Sequence, residues 1–140
     1  MKISTRRLLL TFLIALTLGS AIALYYYNKP AIDVQNADTA YALSAKNLIW
    51  EYQEDEISTN KKYLEKIIQV KGLVAEVAFH KGFHVVTLNG EGLDSKVICH
   101  MEPTENKKTA GLEKGQMVAV KGICTGYLLD VMLIKCVLIN

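Results

Sequence analysis

Two near-identical hexapeptides restrict what this chain can fold into. QVKGLV spans residues 69–74 and AVKGIC spans 119–124, and each interrupts an apolar alternation with a glycine. A β-branched residue would be the better strand former at either position. Small barrels place glycine inside a strand where the strand bends at a corner or where another backbone approaches closely. We therefore predict that Gly72 and Gly122 lie on two strands that pair where a small barrel closes.

The chain from Ile67 onward alternates apolar and polar residues, which is typical of β-strands. Five such segments are separated by stretches that contain glycine, at Lys81-Gly82 and within 89–92, 102–115 and 126–129. This pattern predicts a mainly β fold, a five-stranded barrel.

Two helices are predicted ahead of the barrel, before any strand. Ser44 is a suitable N-cap for a first helix whose Leu48, Ile49 and Tyr52 share one face. A second helix is predicted over residues 54–62, because acidic residues begin it and lysines end it, which complements the helix dipole.

The N-terminal region contains twenty residues without a charge, from position 8 to 27. As a helix this segment would span about 30 Å, the thickness of the hydrocarbon core of a bilayer. Three basic residues precede it and only Lys29 follows closely, so the positive-inside rule places the N-terminus in the cytoplasm and the C-terminal domain outside. We predict a cytoplasmic tail (1–7), a transmembrane signal-anchor helix (8–27), a linker (28–38) and a folded domain (39–140).

Cleavage of this segment is the alternative to an anchor. Ala21-Ile22-Ala23 matches a signal-peptidase site, with cleavage after Ala23. The length of the apolar run and the three tyrosines at positions 25–27, which resemble an interfacial aromatic belt, favour the anchor.

Charge argues against a nucleic-acid site in the domain. The net charge is +2, but residues 38–140 contain twelve lysines and thirteen acidic residues. Both arginines precede the apolar segment, so the domain lacks the residue best suited to bidentate phosphate recognition.

Three stretches resemble a known family: NKKYLEKIIQVKGLV (60–74), VICHM (97–101) and GQMVAVKGICTGYLLDVMLIKC (115–136). They are similar to the tRNA_anti-like family, bacterial OB-fold proteins of membrane-anchored or lipoprotein type, and the resemblance extends over residues 41–139. It implies an OB-fold barrel and a location at the bacterial inner membrane, with the domain in the periplasm. It implies no catalytic residue. This chain has no lipobox cysteine, which supports a helical anchor.

Two turns are candidate binding loops, because OB-folds usually grip ligands with the loop after their first strand and the loop before their last. The residues concerned are His80, Lys81, Phe83, His84 and Tyr127. Tyr127 and Phe83 either form a contact pair for a ligand or cover the barrel end as hairpin aromatics. A two-residue hairpin places His80 opposite Phe83 and His84 opposite Phe79, so the imidazoles do not converge and no metal site is expected.

The three cysteines, Cys99, Cys124 and Cys136, all fall on the predicted core side of their strands. They are either small buried hydrophobic residues or one disulfide with a free thiol, in which case Cys136 pairs with Cys99 or with Cys124. No Cys-x-x-Cys occurs, so thiol catalysis is not expected.

We therefore expect a non-enzymatic binding or assembly module with no cofactor, a membrane segment at residues 8–27 and a protein or envelope partner. A nucleic-acid-binding OB-fold is the first alternative. A cofactor-delivery chaperone is the second, by analogy with the membrane-anchored OB-fold haem chaperone of cytochrome c maturation.

Overall fold

The computed structural model describes residues 4–28 and 32–139. It divides into two units, Met1–Ile32 and Asp33–Asn140. The predictions for Lys29, for the first three residues of the tail and for residues 29–31 of the linker lie outside the described residues. In the first unit, helix α1 (Thr5–Tyr27) has no buried residue and contains an 18-residue window with a mean hydropathy of 2.2, so it is long and apolar enough to cross a membrane.

The second unit is a closed β-barrel with short helices. Its elements are β1 (Tyr41–Ser44), α2 (Ala45–Glu54), α3 (Glu56–Tyr63), β2 (Ile67–His80), β3 (Phe83–Leu88), β4 (Val97–Met101), a 3₁₀ turn (Pro103–Glu105), α4 (Asn106–Thr109), β5 (Met117–Tyr127) and β6 (Val131–Ile139). The five predicted barrel strands are β2 to β6. The core between them is formed mainly by valine, leucine, isoleucine and the three cysteines.

Strand β2 has two partners within the barrel because it is long and irregular. Its first half pairs with β5, from Ile67 opposite Ile123 to Leu73 opposite Met117. Its second half pairs with β3, and the register shifts between Val74 and Glu76. Antiparallel β3–β4, parallel β4–β6 and antiparallel β5–β6 pairings complete the barrel, so the predicted fold is confirmed.

One strand was not predicted. Strand β1 precedes both helices and pairs in parallel with residues 68–71 of β2, so the expectation that no strand precedes the helices was wrong. Four residues are too few to show a clear alternation. The strand runs directly into α2, whose N-cap is Ser44, as predicted: its hydroxyl accepts a hydrogen bond of 3.1 Å from the Asn47 amide.

The two VKG glycines lie on the strands that close the barrel, β2 and β5. An ideal Cβ at Gly122 would lie 2.5 Å from Sγ of Cys136 and 3.1 Å from the carbonyl oxygen of Ile134. A Cβ at Gly72 would lie 3.0 Å from Cβ of Ala45 on α2. Close approach of Cys136 therefore requires glycine at position 122, whereas a Cβ at position 72 would require α2 to shift slightly.

The folded unit begins earlier than the predicted start at residue 39. Val34 is buried, 3% exposed, in a small apolar cluster with Ile123 and Val137 on the outside of the barrel. Lys121 is also buried, and its ammonium group donates to the carbonyl oxygens of Gln35 and Ala37. A buried ammonium needs such partners, so residues 33–37 of the predicted linker belong to the domain.

Helices close both ends of the barrel. At one end, α2 buries Leu48, Ile49 and Tyr52 in the core, as predicted, and α3 buries Thr59 and Tyr63. At the other end, Thr109 of α4 is fully buried, and the Glu105 carboxylate accepts a hydrogen bond from the Leu138 amide. We call these the α2–α3 end and the α4 end.

Candidate ligand-binding face

The β2–β3 hairpin has the two-residue turn that the sequence predicts. Lys81 and Gly82 both have positive φ, 47° and 95°, which is the pattern of a type I′ turn. The register pairs Phe79 with His84 and His80 with Phe83, as expected. The rings interact edge to face across each pair, with centroids 5.0 Å and 6.3 Å apart.

Three rings form a ladder across the outer surface of the barrel. His80 on β2 packs against Phe83 on β3, and Phe83 packs against His100 on β4 with centroids 5.7 Å apart. His100 pairs with Val85 across the β3–β4 ladder, so Phe83 is its diagonal neighbour. Aromatic side chains are long enough to make contact across such a diagonal pair. We name this outer surface of β2, β3 and β4 the His–Phe face.

The His–Phe face carries little charge. Residues that alternate with the buried ones point outward, and none of them is fully buried. The eight outward residues are Glu76, Ala78, His80, Phe83, Val85, Thr87, Ile98 and His100. None of these eight is a lysine, and Glu76 is the one carboxylate among them. The face is therefore aromatic and aliphatic, with imidazole and hydroxyl groups as its polar elements.

His84 does not belong to this face. It points to the α4 end, where its Nδ1 lies 3.1 Å from Oδ1 of Asn106 and 2.8 Å from Oγ1 of Thr109. Asn106 donates from Nδ2 to the Gly82 carbonyl oxygen, which fixes the orientation of its amide. Its Oδ1 can only accept, so Nδ1 of His84 carries a proton and donates. The hydrogen bonds of Asn106 to His84 and to Gly82 hold the β2–β3 turn against α4.

Tyr127 lies far from Phe83. Its ring stacks on Tyr52 at 5.4 Å, and its hydroxyl lies 3.2 Å from Oγ of Ser95. Tyr127 pairs with Val131, and Val131 pairs with Val97. Val97 pairs with Leu88 at the end of β3, whereas Phe83 is at the start of that strand, about 17 Å away. Tyr127 therefore lies at the barrel end against Tyr52, and it does not form a contact pair with Phe83.

The three cysteines are buried free thiols. Sγ of Cys124 lies 3.4 Å from the Tyr52 hydroxyl, whereas Cys136 has Cys99 as a neighbour. Burial raises the pKa of Cys124 and that of Cys136. A buried neutral thiol is a poor nucleophile, so these side chains pack the core.

Metal ligands do not converge within residues 4–28 and 32–139, where no three His, Cys, Asp or Glu side chains form a group that could hold an ion. His80 and His100 lie on either side of Phe83. The arrangement thus offers ring surfaces and ring nitrogens for contact with a ligand.

Sequence reasoning missed part of this region. His100 was not among the candidate residues, because its contact with Phe83 depends on the β3–β4 register, which the sequence alone does not give. Asn106 and Thr109 were missed entirely, since residues 102–115 show only a polar stretch with proline and glycine. Of the five candidate residues, His80 and Phe83 are on the face and Lys81 is in its turn, while His84 and Tyr127 lie elsewhere.

Comparison with solved structures supports the fold. A candidate nucleic acid-binding lipoprotein from Klebsiella pneumoniae has a TM-score of 0.61 at 13% identity, with 80% of this chain and all of that chain covered. A candidate aspartyl-tRNA synthetase from Leishmania major has a TM-score of 0.50 at 9% identity, with 87% of this chain but only 26% of that chain covered. At identities this low, the structural similarity shows a shared fold and nothing further.

Comparison with families is more specific. No curated protein matches the chain. The tRNA_anti-like family model matches residues 1–138, which is nearly the whole chain and includes the apolar helix, the two VKG strands and the His–Phe face. This protein therefore belongs to the tRNA_anti-like family.

Proposed function

We propose that this OB-fold domain is a non-enzymatic binding module, that its ligand contacts the His–Phe face, and that the ligand is a protein or another envelope component. The observation that carries the proposal is the composition of the face. Of its eight outward residues, one is a carboxylate and none is a lysine or an arginine, and three form the ring ladder. Aromatic side chains are enriched in the cores of protein interfaces, where charged residues are depleted.

The lysines of the domain support this choice of ligand. From Asp33 onward the chain has twelve lysines and fourteen acidic residues. Lys62 and Lys108 pair with Glu51 and Glu105 at 2.9 Å and 3.1 Å, and Lys121 is buried against backbone carbonyls. Binding of a phosphate backbone requires several free cations along one groove, and none of the eight outward residues supplies one.

A location at the membrane surface is part of the proposal. Helix α1 has the length and hydropathy of a membrane span, and the basic residues ahead of it favour an orientation with the domain outside the cytoplasm. In a bacterium this is the inner membrane, with the domain in the periplasm. The similarity in fold to a lipoprotein agrees with a membrane-attached domain.

Nucleic-acid binding is the second candidate, and two observations favour it. The His80–Phe83–His100 ladder offers ring faces on which bases can stack, the usual mode of OB-folds that bind single strands. The Klebsiella protein of similar fold is itself described as a candidate nucleic acid binder.

Fluorescence anisotropy separates the two candidates. The full chain in nanodiscs is titrated into labelled single-stranded DNA and RNA of about 16 nucleotides, near the upper end of an OB-fold site, at low salt. We expect weak binding, with a dissociation constant above about 1 μM, the range of non-specific association. A tighter constant with a steep salt dependence, reduced by Phe83→Ala but not by Met117→Ala, would select nucleic acid instead.

A further inference from the structure

The exposed apolar residues of the domain are concentrated at the α2–α3 end. Of nine exposed large hydrophobic residues from Asp33 onward, six lie there: Tyr41, Trp50, Ile57, Leu64, Leu128 and Leu129. Leu128 and Leu129, at the tip of the β5–β6 turn, are 88% and 79% exposed. Two adjacent leucines with almost no contact stabilise nothing within the fold.

These residues come from three elements that meet. Gly126 lies beside α3, where a Cβ on it would be 3.5 Å from Asn60 and from Leu64. Ile57 is seven residues before Leu64, so the two share that flank of the helix. The β5–β6 turn therefore extends next to an apolar stripe of α3.

Trp50 lies on the adjoining helix. Helix α2 buries Leu48, Ile49 and Tyr52 in the barrel, and Trp50 is on its outer side with 54% of its surface exposed. Tyr52 stacks on Tyr127, which brings α2 next to the base of the leucine turn. Tryptophan is enriched where proteins meet the headgroup region of a bilayer.

Chain connectivity identifies the occupant of this surface. Five residues separate Tyr27, the end of α1, from Asp33, the start of the domain, and even a fully extended segment of that length spans only about 20 Å. This short connection keeps the domain at the bilayer surface if α1 spans the membrane. The α2–α3 end is where most of the exposed large apolar side chains of the domain lie.

We propose that the α2–α3 end rests on the lipid bilayer, with Leu128, Leu129 and Ile57 inserted among the acyl chains and Trp50 at the headgroups. The acidic residues that begin α3 mean that this surface is not strongly basic, so apolar insertion is the main attraction. This inference rests on the proposed membrane anchor. It orients the domain so that the hairpin with His80 and Phe83, near the opposite end of the barrel, is directed away from the lipid.

Trp50 is the single tryptophan of the chain and reports directly on this contact. The full chain is reconstituted into phosphatidylcholine vesicles with or without brominated acyl chains, which quench tryptophan within contact distance. A ring held about 5–10 Å into the interface should lose at least half of its emission in brominated lipid. Helix α1 has no tryptophan, so its insertion does not contribute to the signal.

The variant Leu128→Asp/Leu129→Asp should abolish the quenching, because the carboxylates resist insertion. The matched control is Met117→Asp, an exposed apolar residue at the opposite end of β5. It should leave the quenching unchanged. Ile57→Asp provides a second test on another element, and circular dichroism of each variant identifies any loss of fold.

Flotation of the vesicles distinguishes a failure of the membrane anchor from a failure of the docking of the α2–α3 end. If the chain floats and Trp50 is quenched, the docking inference is supported. If the chain floats and Trp50 is equally bright in both lipids, the inference is wrong and the anchor stands. If the chain does not float, the anchor and the inference both fail.

Discussion

At the scale of single residues, the two glycines show what a sequence can and cannot reveal. A glycine inside an alternating segment indicates a need for space. It does not identify the neighbour, which is Cys136 for Gly122 and Ala45 for Gly72. Cys136 is fourteen residues further along, on the next strand, and its approach depends on the register shift between Lys121 and Ile123.

The two glycines should differ in their sensitivity to a methyl group. Gly122→Ala should lower the free energy of unfolding by about 2 kcal/mol, because its Cβ overlaps Sγ of Cys136 and a backbone oxygen. Gly72→Ala should cost about 1 kcal/mol, since a 3.0 Å contact is relieved by a small shift of α2. Urea unfolding of the full chain in mild detergent, followed by Trp50 fluorescence, measures both.

Gly111→Ala is the matched control, because a Cβ there would have only one neighbour, at 3.8 Å, and should change stability by less than about 0.5 kcal/mol. In the Cys136→Ala background the cost of Gly122→Ala should fall by about 1 kcal/mol, since the overlapping sulfur is gone. An undiminished cost in that background would show that the sulfur is not the obstacle.

At the scale of elements, local signals were predictable and long-range ones were not. The Ser44 cap, the buried face of α2 and the Lys81-Gly82 hairpin depend on neighbours within a few residues, and the structure confirms them. Strand β1 and the docked segment at residues 33–37 depend on partners roughly thirty or more residues away. The buried Lys121 is the clearest case, because nothing in its local sequence indicates burial.

The hairpin of the His–Phe face should depend on Asn106. Asn106→Ala removes the bond to the Gly82 carbonyl and one of the two partners of His84 Nδ1, while Thr109 remains. Residues 81–84 should therefore exchange amide hydrogens about fivefold faster, the equivalent of one hydrogen bond of about 1 kcal/mol. Hydrogen-exchange mass spectrometry on the full chain measures this. The control is Lys107→Ala at the exposed neighbouring residue, which should leave the exchange rate of residues 81–84 unchanged. If Asn106→Ala and the parent protein exchanged at equal rates, α4 would not be the support of the face.

At the scale of the whole molecule, the chain combines an apolar helix with an OB-fold barrel whose exposed surfaces differ. The α4 end supports the hairpin with its ring ladder, and the α2–α3 end carries the exposed leucines. The barrel and the apolar helix were predictable from periodicity and charge. The face itself was only half predictable, because it joins residues from three strands through their registers.

The central claim, that the His–Phe face binds a protein or envelope partner, is tested most directly by site-specific photocrosslinking in native membranes. A photoreactive residue replaces His80 on the face or, as a control, the exposed Glu113 in the α4–β5 connection. We expect a discrete adduct from position 80 alone that resists nuclease and disappears with Phe83→Ala. A nuclease-sensitive adduct, or an equal adduct from position 113, would contradict the claim.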